Sequence, residues 1–270
     1  MRRWERAGIL ILVNGDAERL ERVVLGFSEV GLRVEWLRDY LANTPPANAA
    51  KTLEELCEAS ERSDPSAREA VLSLALLLAR SSEEAFVGRL REEAEQHHLL
   101  CLGRLLRRSP SRPPAADRAP DPPIPDYRAG RELTVGERRS LARSPTRRDF
   151  DKLLSDPHPL VIRQLLENPR LTENDVLRIA ARRPARVDAL QAIARSERWL
   201  ARPRIRMAIL LNPGSPPGLA LPLLAACTRT ELVEVVQSAD TNKLLRSTAR
   251  ELLVRRPPLD VPDDADRILQ

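Results

Sequence analysis

Apolar residues recur in the last half of the chain at a spacing of 44 residues. Three sets of positions correspond in this way: Val161, Ile205 and Ala249; Leu165, Ile209 and Leu253; and Leu166, Leu210 and Val254. A proline follows each group at the same spacing, at Pro169, Pro213 and Pro257. An internal repeat of this length is typical of stacked helical units, none of which can bury its apolar face without a neighbour.

Within each period, apolar residues at helical spacing predict three short helices. The second helix of each period carries a buried stripe, formed by Val176, Leu177 and Ala180 and then by Leu221, Leu224 and Ala225. The third helix is predicted over Val187 to Arg195 and over Thr230 to Gln237. Helices of roughly ten residues do not persist alone, so tertiary packing has to hold them.

Capping residues mark where these helices begin. Asp156-Pro157 predicts an N-cap followed by proline at the first helical position, with the helix stopping before Asn168-Pro169. Thr172 with Asp175 three residues later resembles a capping box, and Ser215-Pro216 predicts the equivalent start one period on.

Three segments carry a likeness to a known class of repeat. They are Asp156-Pro157 leading to Val161-Ile162-Arg163, Asp240 leading to Leu245-Arg246 and Ala249, and Asp64-Pro65 leading to Arg68 and Val71-Leu72. With these residues the chain resembles the HEAT and armadillo α-solenoids and the related leucine-rich variant repeats. The resemblance implies a right-handed α-solenoid of about two and a half repeats that serves as a curved binding scaffold, and such families share no catalytic residues.

The N-terminal part is also predicted to be mainly helical. A buried face behind a cap at Asp16 is formed by Leu20, Val23, Val24, Phe27 and Val30, with Gly31 as the stop. The alternative is an α/β start, with strands at Gly8 to Val13 and at Leu32 to Trp36 and a turn at Asn14-Gly15-Asp16. Because a parallel sheet needs more strands than this, the helical interpretation is favoured.

Seven prolines between Ser109 and Asp126 predict an extended linker. The linker divides the chain into an N-terminal helical domain (1–108), a Pro-rich linker (109–131) and a HEAT-like repeat domain (132–270), and the fold class is all-α. The alternative for the proline stretch is a docking peptide for a proline-binding domain.

Composition fits this picture. Apolar residues make up 42% of the chain but aromatic residues only 3%, so the core must consist mainly of leucine, alanine, valine and isoleucine.

Cys57, Cys101 and Cys227 show no paired spacing, which favours a reducing compartment and a cytoplasmic location. The apolar run Ile9 to Val13 is too short to cross a bilayer.

Candidate chemistry is sparse. Glu93, His97 and Cys101 would share one face of a continuous helix, but zinc needs further ligands and the sequence offers no second cluster. His158 is expected on the surface. The chain has no nucleophile elbow, HExxH motif or glycine-rich phosphate loop, so we expect no enzyme activity, no catalytic residue, no metal and no cofactor.

Charge is unevenly distributed along the chain. Residues 51–96 hold 11 acidic and 6 basic side chains, whereas residues 176–206 hold nine arginines and only two acidic residues. The predicted binding surface in the second window comprises Arg178, Arg182, Arg183, Arg186, Arg195, Arg198, Trp199 and Arg202.

This surface suits an unidentified protein partner with an acidic or amphipathic segment, because arginine and tryptophan commonly anchor interfaces. Four alternatives remain. The arginines and Trp199 could neutralise phosphates and stack on a base, as in a nucleic-acid binder or, less favoured, a HEAT-like DNA glycosylase. The basic part could instead dock on the chain's own acidic segment. Finally, these residues could be ordinary solvated helix faces, with Trp199 packed between repeats.

Overall fold

The computed structural model describes residues 17–81, 85–107, 123–127, 130–184 and 186–256. In these ranges every regular element is a helix, which confirms the all-α prediction. The helices before the proline-rich segment are α1 (Ala17–Gly26), α2 (Val30–Asn43), α3 (Pro46–Glu61), α4 (Pro65–Ser81), α5 (Ala85–Gln96) and α6 (Leu100–Leu105).

Ten further helices follow the proline-rich segment. They are α7 (Val135–Arg143), α8 (Arg147–Leu154), α9 (Pro159–Leu166), α10 (Glu173–Ala180), α11 (Val187–Ala194), α12 (Glu197–Leu200), α13 (Pro203–Leu210), α14 (Pro217–Ala225), α15 (Arg229–Gln237) and α16 (Lys243–Arg255). None of the helices in the described ranges is both long and apolar enough to cross a bilayer.

The α/β alternative for the N-terminal part is wrong at the one predicted strand that the structure describes. Leu32 to Trp36 lies inside α2, and the other strand and its turn fall outside the described residues. On α1 the predicted apolar face is confirmed at Leu20 and Val24, which are fully buried, but α1 ends at Gly26, so Phe27 and Val30 lie outside it.

Gly31 does not end a helix, contrary to the prediction, because α1 ends at Gly26 and Gly31 lies in the first turn of α2. A side chain on Gly31 would collide with the carboxylate of Glu197. The glycine therefore leaves room for the carboxylate of Glu197 against α2.

The capping predictions for the later helices have mixed outcomes. Thr172 forms the predicted capping box with Asp175. The prediction for Asp156 is wrong: α9 begins two residues later, where Nδ1 of His158 accepts a hydrogen bond from the backbone N–H of Leu160 at 3.2 Å.

Asp156 is instead fully buried and binds the guanidinium of Arg138 through both carboxylate oxygens, at 2.6 and 2.7 Å. Its carboxylate also accepts hydrogen bonds from the hydroxyl of Tyr127 at 2.9 Å and from the backbone N–H of His158 at 2.8 Å. These bonds tie the described piece 123–127 to α7 and to the start of α9. The predicted helix start at Ser215 is also wrong, because α14 begins at Pro217 and Ser215 is buried.

Two pairs of helices run side by side in the same direction. Asn168 follows α9 and donates to backbone carbonyls at the C-terminal end of α7, and Asn212 follows α13 and does the same at the end of α10. Since α7 packs on α9 and α10 packs on α13, and each asparagine joins two C-terminal ends, the two helices of each pair run in the same direction.

Burial follows the predicted period in its first two units and at Ala249 of the third, but not at Val254. Leu166 and Leu210 are buried, whereas Val254 at the corresponding position of α16 is 88% exposed. α16 is the last helix in the described ranges, and no later described helix packs on this face.

The parts of the chain on either side of the proline-rich segment share one hydrophobic core. α4 is buried on almost every side and packs along α14, and it also contacts α2, α3 and α11. Two ion pairs accompany this contact, Arg80 with Glu197 at 2.8 Å and Arg107 with Glu251 at 2.9 Å. The two parts of the chain are therefore in contact through the hydrophobic core, and in both of these pairs the arginine comes from the N-terminal part, which is the reverse of the charge arrangement that the docking alternative assumed.

Candidate functional site: arginines around the α9–α10 turn

Trp199 lies at the centre of the arginine-rich part, on the short helix α12. Its indole N–H donates to the carbonyl of Leu166 at 2.9 Å, and the residue is only 1% exposed. The guanidinium carbons of Arg198 and Arg202 lie 4.3 and 5.4 Å from the indole ring centroid. The proposed stacking of Trp199 on a nucleic-acid base is therefore wrong for this structure, because the ring is already covered.

Arg198 is held against the turn that joins α9 to α10. Its guanidinium donates to the carbonyls of Asn168 and Leu171, at 3.3 and 3.4 Å. Since the side chain remains exposed, these bonds fix a positive charge at the surface of the turn.

Two further arginines reach the same turn from the start of α13. Arg202 pairs with Glu173 at 2.8 Å, and Arg204 makes a long contact of 3.5 Å with the side-chain oxygen of Asn174. Glu173 and Asn174 form the first turn of α10, so both arginines lie beside the positive end of that helix dipole.

Arg170 completes the group. Its backbone N–H donates to the side-chain oxygen of Asn168 at 2.9 Å, which fixes the turn. Its side chain is exposed and makes no hydrogen bond or ion pair within the described part of the chain. We call Arg170, Arg198, Arg202 and Arg204 the turn cluster; Glu173 is the only carboxylate in the described ranges that pairs with any of them.

Three other arginines of the predicted surface are anchored elsewhere. Arg178 pairs with Asp151 of α8 at 2.8 Å, and Arg183 pairs with Asp240 after α15 at 2.5 Å. Arg186 donates to the carbonyl of Pro157. Each of these side chains bridges to a different neighbouring segment, so the structure does not gather them into the turn cluster.

Arg182 and Arg195 also belong to the predicted surface. Arg182 is half-buried after α10 and Arg195 is exposed after α11. Neither side chain has a hydrogen-bond or ion-pair partner within the described residues. They extend the basic surface beyond the turn cluster as separate charges.

The set Glu93, His97 and Cys101 does not occupy one continuous helix. α5 ends at Gln96, and His97 contacts Glu93 at 3.4 Å, whereas Cys101 lies on α6. The Cys101 thiol donates to Glu61 at 3.4 Å. Among the described residues, no group of three or more histidine, cysteine or acidic side chains is placed to hold a metal ion.

Two depressions lie near α6. A small cavity of about 10 Å³ is lined by Cys57, Cys101 and the buried pair of Glu61 with Arg104, and it has room for about one water molecule. A wider groove of about 590 Å³ runs between α5, α6 and α16, past Leu100 and the Arg107–Glu251 pair. Its rim mixes both signs of charge, so it favours no particular ligand.

Sequence reasoning missed two members of the turn cluster: Arg170, which lies outside the window of nine arginines, and Arg204, which lies inside the window but was not part of the predicted surface. The signal was the motif Asn168-Pro169, whose asparagine folds the turn and sets Arg170 beside Arg198. In comparison with known proteins, the chain matches no protein-family model, no curated protein and no solved structure.

Proposed function

We propose that this protein is a non-catalytic interaction scaffold that binds an acidic segment of a protein partner through the turn cluster. The observation that carries the proposal is a group of four exposed arginines at one turn, of which only Arg202 pairs with a carboxylate in the described ranges. Arginine binds carboxylates in a fixed, fork-like geometry, which suits it to this task.

The turn cluster is also preorganised. Arg198 is bonded to two carbonyls and stacked on Trp199, and Arg202 is paired and stacked on the same ring. Side chains that are already ordered lose little entropy when a partner binds. Arg170 provides the positive charge that is not yet engaged.

A protein partner is favoured over nucleic acid because the aromatic side chain expected to stack on bases is buried. Single-stranded binding usually combines basic grooves with exposed aromatic rings. What the turn cluster could still offer a nucleic acid is attraction between its arginines and the phosphates. Such binding does not depend on base sequence, and its affinity falls steeply as the salt concentration rises.

The scaffold itself is proposed to be a HEAT-like α-solenoid with a period of 44 residues. Three positions at that spacing, Asn168, Asn212 and Arg256, each donate to carbonyls at the end of an earlier helix, namely α7, α10 and α14. A bond that recurs at a fixed spacing supports a repeated structural unit.

Fluorescence anisotropy with the full chain tests the function. The probes are a labelled peptide of alternating aspartate and glycine, the same peptide with asparagine, and single- and double-stranded oligonucleotides, all over a range of salt. We expect the aspartate peptide to bind, and Arg170→Glu with Arg204→Glu to weaken it at least about tenfold, since charge-assisted hydrogen bonds are lost. The asparagine peptide should not bind.

The matched control is Arg89→Glu with Arg148→Glu, which makes the same charge change at exposed arginines of α5 and α8. Equal loss in both double variants would show a general charge effect and would overturn the assignment. If an oligonucleotide bound more tightly than the aspartate peptide, with an affinity that fell steeply with salt, the partner would be a nucleic acid and not a protein.

A further inference from the structure

Val254 is not the only residue of α16 that is uncovered. One turn earlier Arg250 is exposed, whereas the residues one and two periods before it, Arg206 and Ile162, are only 7% and 2% exposed. Arg250 and Val254 are four residues apart, so they share one face of the helix. We call these two residues the open face of α16. The same face of α9 and of α13 is buried.

In the first two units a later part of the chain provides the cover. α11 packs on α9, and α14 packs on α13. α16 packs mainly on α14 and α15, which both precede it, and no later helix exists within the described ranges. Residues 257–270 follow α16 and lie outside those ranges. The period therefore assigns the cover of the open face to these residues.

The chain leaves α16 by a turn that resembles the turns after α9 and α13. Arg256 donates to the carbonyl of Ala225 at the end of α14, as Asn168 and Asn212 donate at the ends of α7 and α10. α10 and α14 each begin five residues after the asparagine. The residues after Arg256 therefore start from the same place relative to α16 as α10 does relative to α9.

The sequence after α16 has the pattern of α10. Residues 264–269 correspond to residues 175–180, one residue beyond two periods of 44. Three residues are identical, since Asp264, Arg267 and Ile268 match Asp175, Arg178 and Ile179. The positions that are buried in α10 are apolar in the later segment too: Ala265, Ile268 and Leu269. This segment therefore carries an apolar face of the kind that α10 buries.

Charge also favours this segment as the cover. The outward side of α16 is basic, because Lys243, Arg250 and Arg255 are exposed and the exposed Glu251 is already paired with Arg107. The residues that follow are acidic, with aspartates at positions 260, 263, 264 and 266. Opposite charges across a contact fix its register and disfavour other partners.

We propose that residues 259–269 dock on the open face of α16, where their apolar side chains cover Val254 and their aspartates lie beside Arg250. The segment takes the place that a following repeat would occupy. The open face is then closed to a partner protein and to a second copy of the chain. This surface is separate from the turn cluster, and the proposal does not depend on the binding of an acidic partner there.

Thiol labelling of the full chain tests the contact. Val254→Cys places a thiol on the open face, and Arg89→Cys, at an exposed position of α5, is the matched control. A disulfide reagent at about pH 8 should label Val254→Cys at least about tenfold more slowly than Arg89→Cys, because the covering segment has to open first. The three native cysteines are buried, so they do not compete with either thiol.

Ile268→Asp identifies the cover. Added to Val254→Cys, it should displace the segment and raise the labelling rate to that of the control, while Arg89→Cys should be labelled at the same rate with and without it. Equal labelling of Val254→Cys and Arg89→Cys would overturn the proposal, since the face would be open. Slow labelling of Val254→Cys that Ile268→Asp does not change would also overturn it, and light scattering would then show whether a second copy covers the face.

Thermal unfolding of Val254→Ala gives a second test, in which the sign of the effect differs between the two cases. On an uncovered helix face the change leaves the melting temperature the same or raises it, because alanine is the better helix former. Under a cover it removes buried methyl groups and should lower the melting temperature by about 2–4 °C. In the presence of Ile268→Asp this cost should disappear. A melting temperature that Val254→Ala alone does not lower would contradict the proposal.

Discussion

Asn168 and Asn212 make the same set of bonds 44 residues apart. The side-chain N–H groups of each donate to two carbonyls at the end of an earlier helix, and each side-chain oxygen accepts the backbone N–H two residues later. Both residues are buried, so they satisfy carbonyl groups that water cannot reach. Polar side chains thereby fix the spacing between parallel helices.

Asn212→Ala should lower the free energy of unfolding by about 1–3 kcal/mol, because the carbonyls of Ala180 and Arg182 lose their partner inside the protein. Urea unfolding followed by circular dichroism measures the change. Asn174→Ala is the control, since Asn174 is exposed and makes one long contact, and it should change stability by less than about 0.5 kcal/mol. Equal effects of the two changes would contradict the role of Asn212.

The buried pair of Glu61 with Arg104 predicts that the stability of the fold depends strongly on both residues. Their side chains are 7% and 9% exposed, and two bonds of 2.6 and 2.9 Å join them. Arg104→Met should lower the free energy of unfolding by about 3 kcal/mol, because the buried carboxylate of Glu61 loses both short bonds and keeps only Arg255 at 3.7 Å and the Cys101 thiol at 3.4 Å. Adding Glu61→Leu should recover much of the loss in the same denaturation experiment.

The exposed pair of Arg62 with Glu58 provides the comparison for that experiment. Arg62→Met should cost less than about 1 kcal/mol, as is usual for surface pairs. If Arg104→Met cost no more than Arg62→Met, the buried pair would not stabilise the contact between α3 and α6.

Glu137 predicts a specific response to acid. Hydrogen bonds from Arg131 and then from Thr134 lower the pKa of Glu137 from 4.5 to about 2. The stabilisation from Glu137 is therefore complete above about pH 4.5 and is lost as the pH falls through 2. Carbon-detected NMR titration should show this low pKa, and Arg131→Gln should raise it towards 4.5. An ordinary pKa in the wild type would show that the pair does not persist in solution.

The cysteines predict slow thiol chemistry. All three are buried, and burial raises the pKa of Cys101 and of Cys227 to about 12 and that of Cys57 well above 9.0. Because the thiolate is the reactive form, a disulfide reagent at pH 8 should label none of them rapidly in the folded protein. All three should react at once in denaturant. A fast-reacting thiol in native buffer would contradict the packing around that residue.

The sequence predicted well those features that depend on near neighbours. The capping box of Thr172 and the helix at Val187 follow from residues within a few positions, and both are present in the structure. The prediction for Asp156 failed because an Asp-Pro pair has the same local pattern whether its carboxylate caps a helix or, as here, binds the distant Arg138.

The candidate site was harder to predict for the same reason. A tryptophan among arginines has the same local sequence whether its ring is exposed or buried. Trp199 is buried against a segment far away in the sequence, where Leu166, 33 residues earlier, accepts its N–H. The place of Arg170 beside Arg198 likewise depends on how two turns meet. Contacts of this kind are set by tertiary packing, which spacing along the chain does not encode.

The contact between α4 and α14 affects how the protein is made as well as how it is held together. α4 has apolar residues on nearly all sides, and the helix that covers it most fully emerges about 140 residues later in synthesis. At usual rates of translation, α14 is synthesised on the order of 10 s after α4, and for that time the leucines of α4 lack this packing partner. During this interval the nascent chain exposes the apolar surface of α4, which favours aggregation. The yield of folded protein in the cell should therefore depend on the supply of chaperones, even if the finished fold is stable.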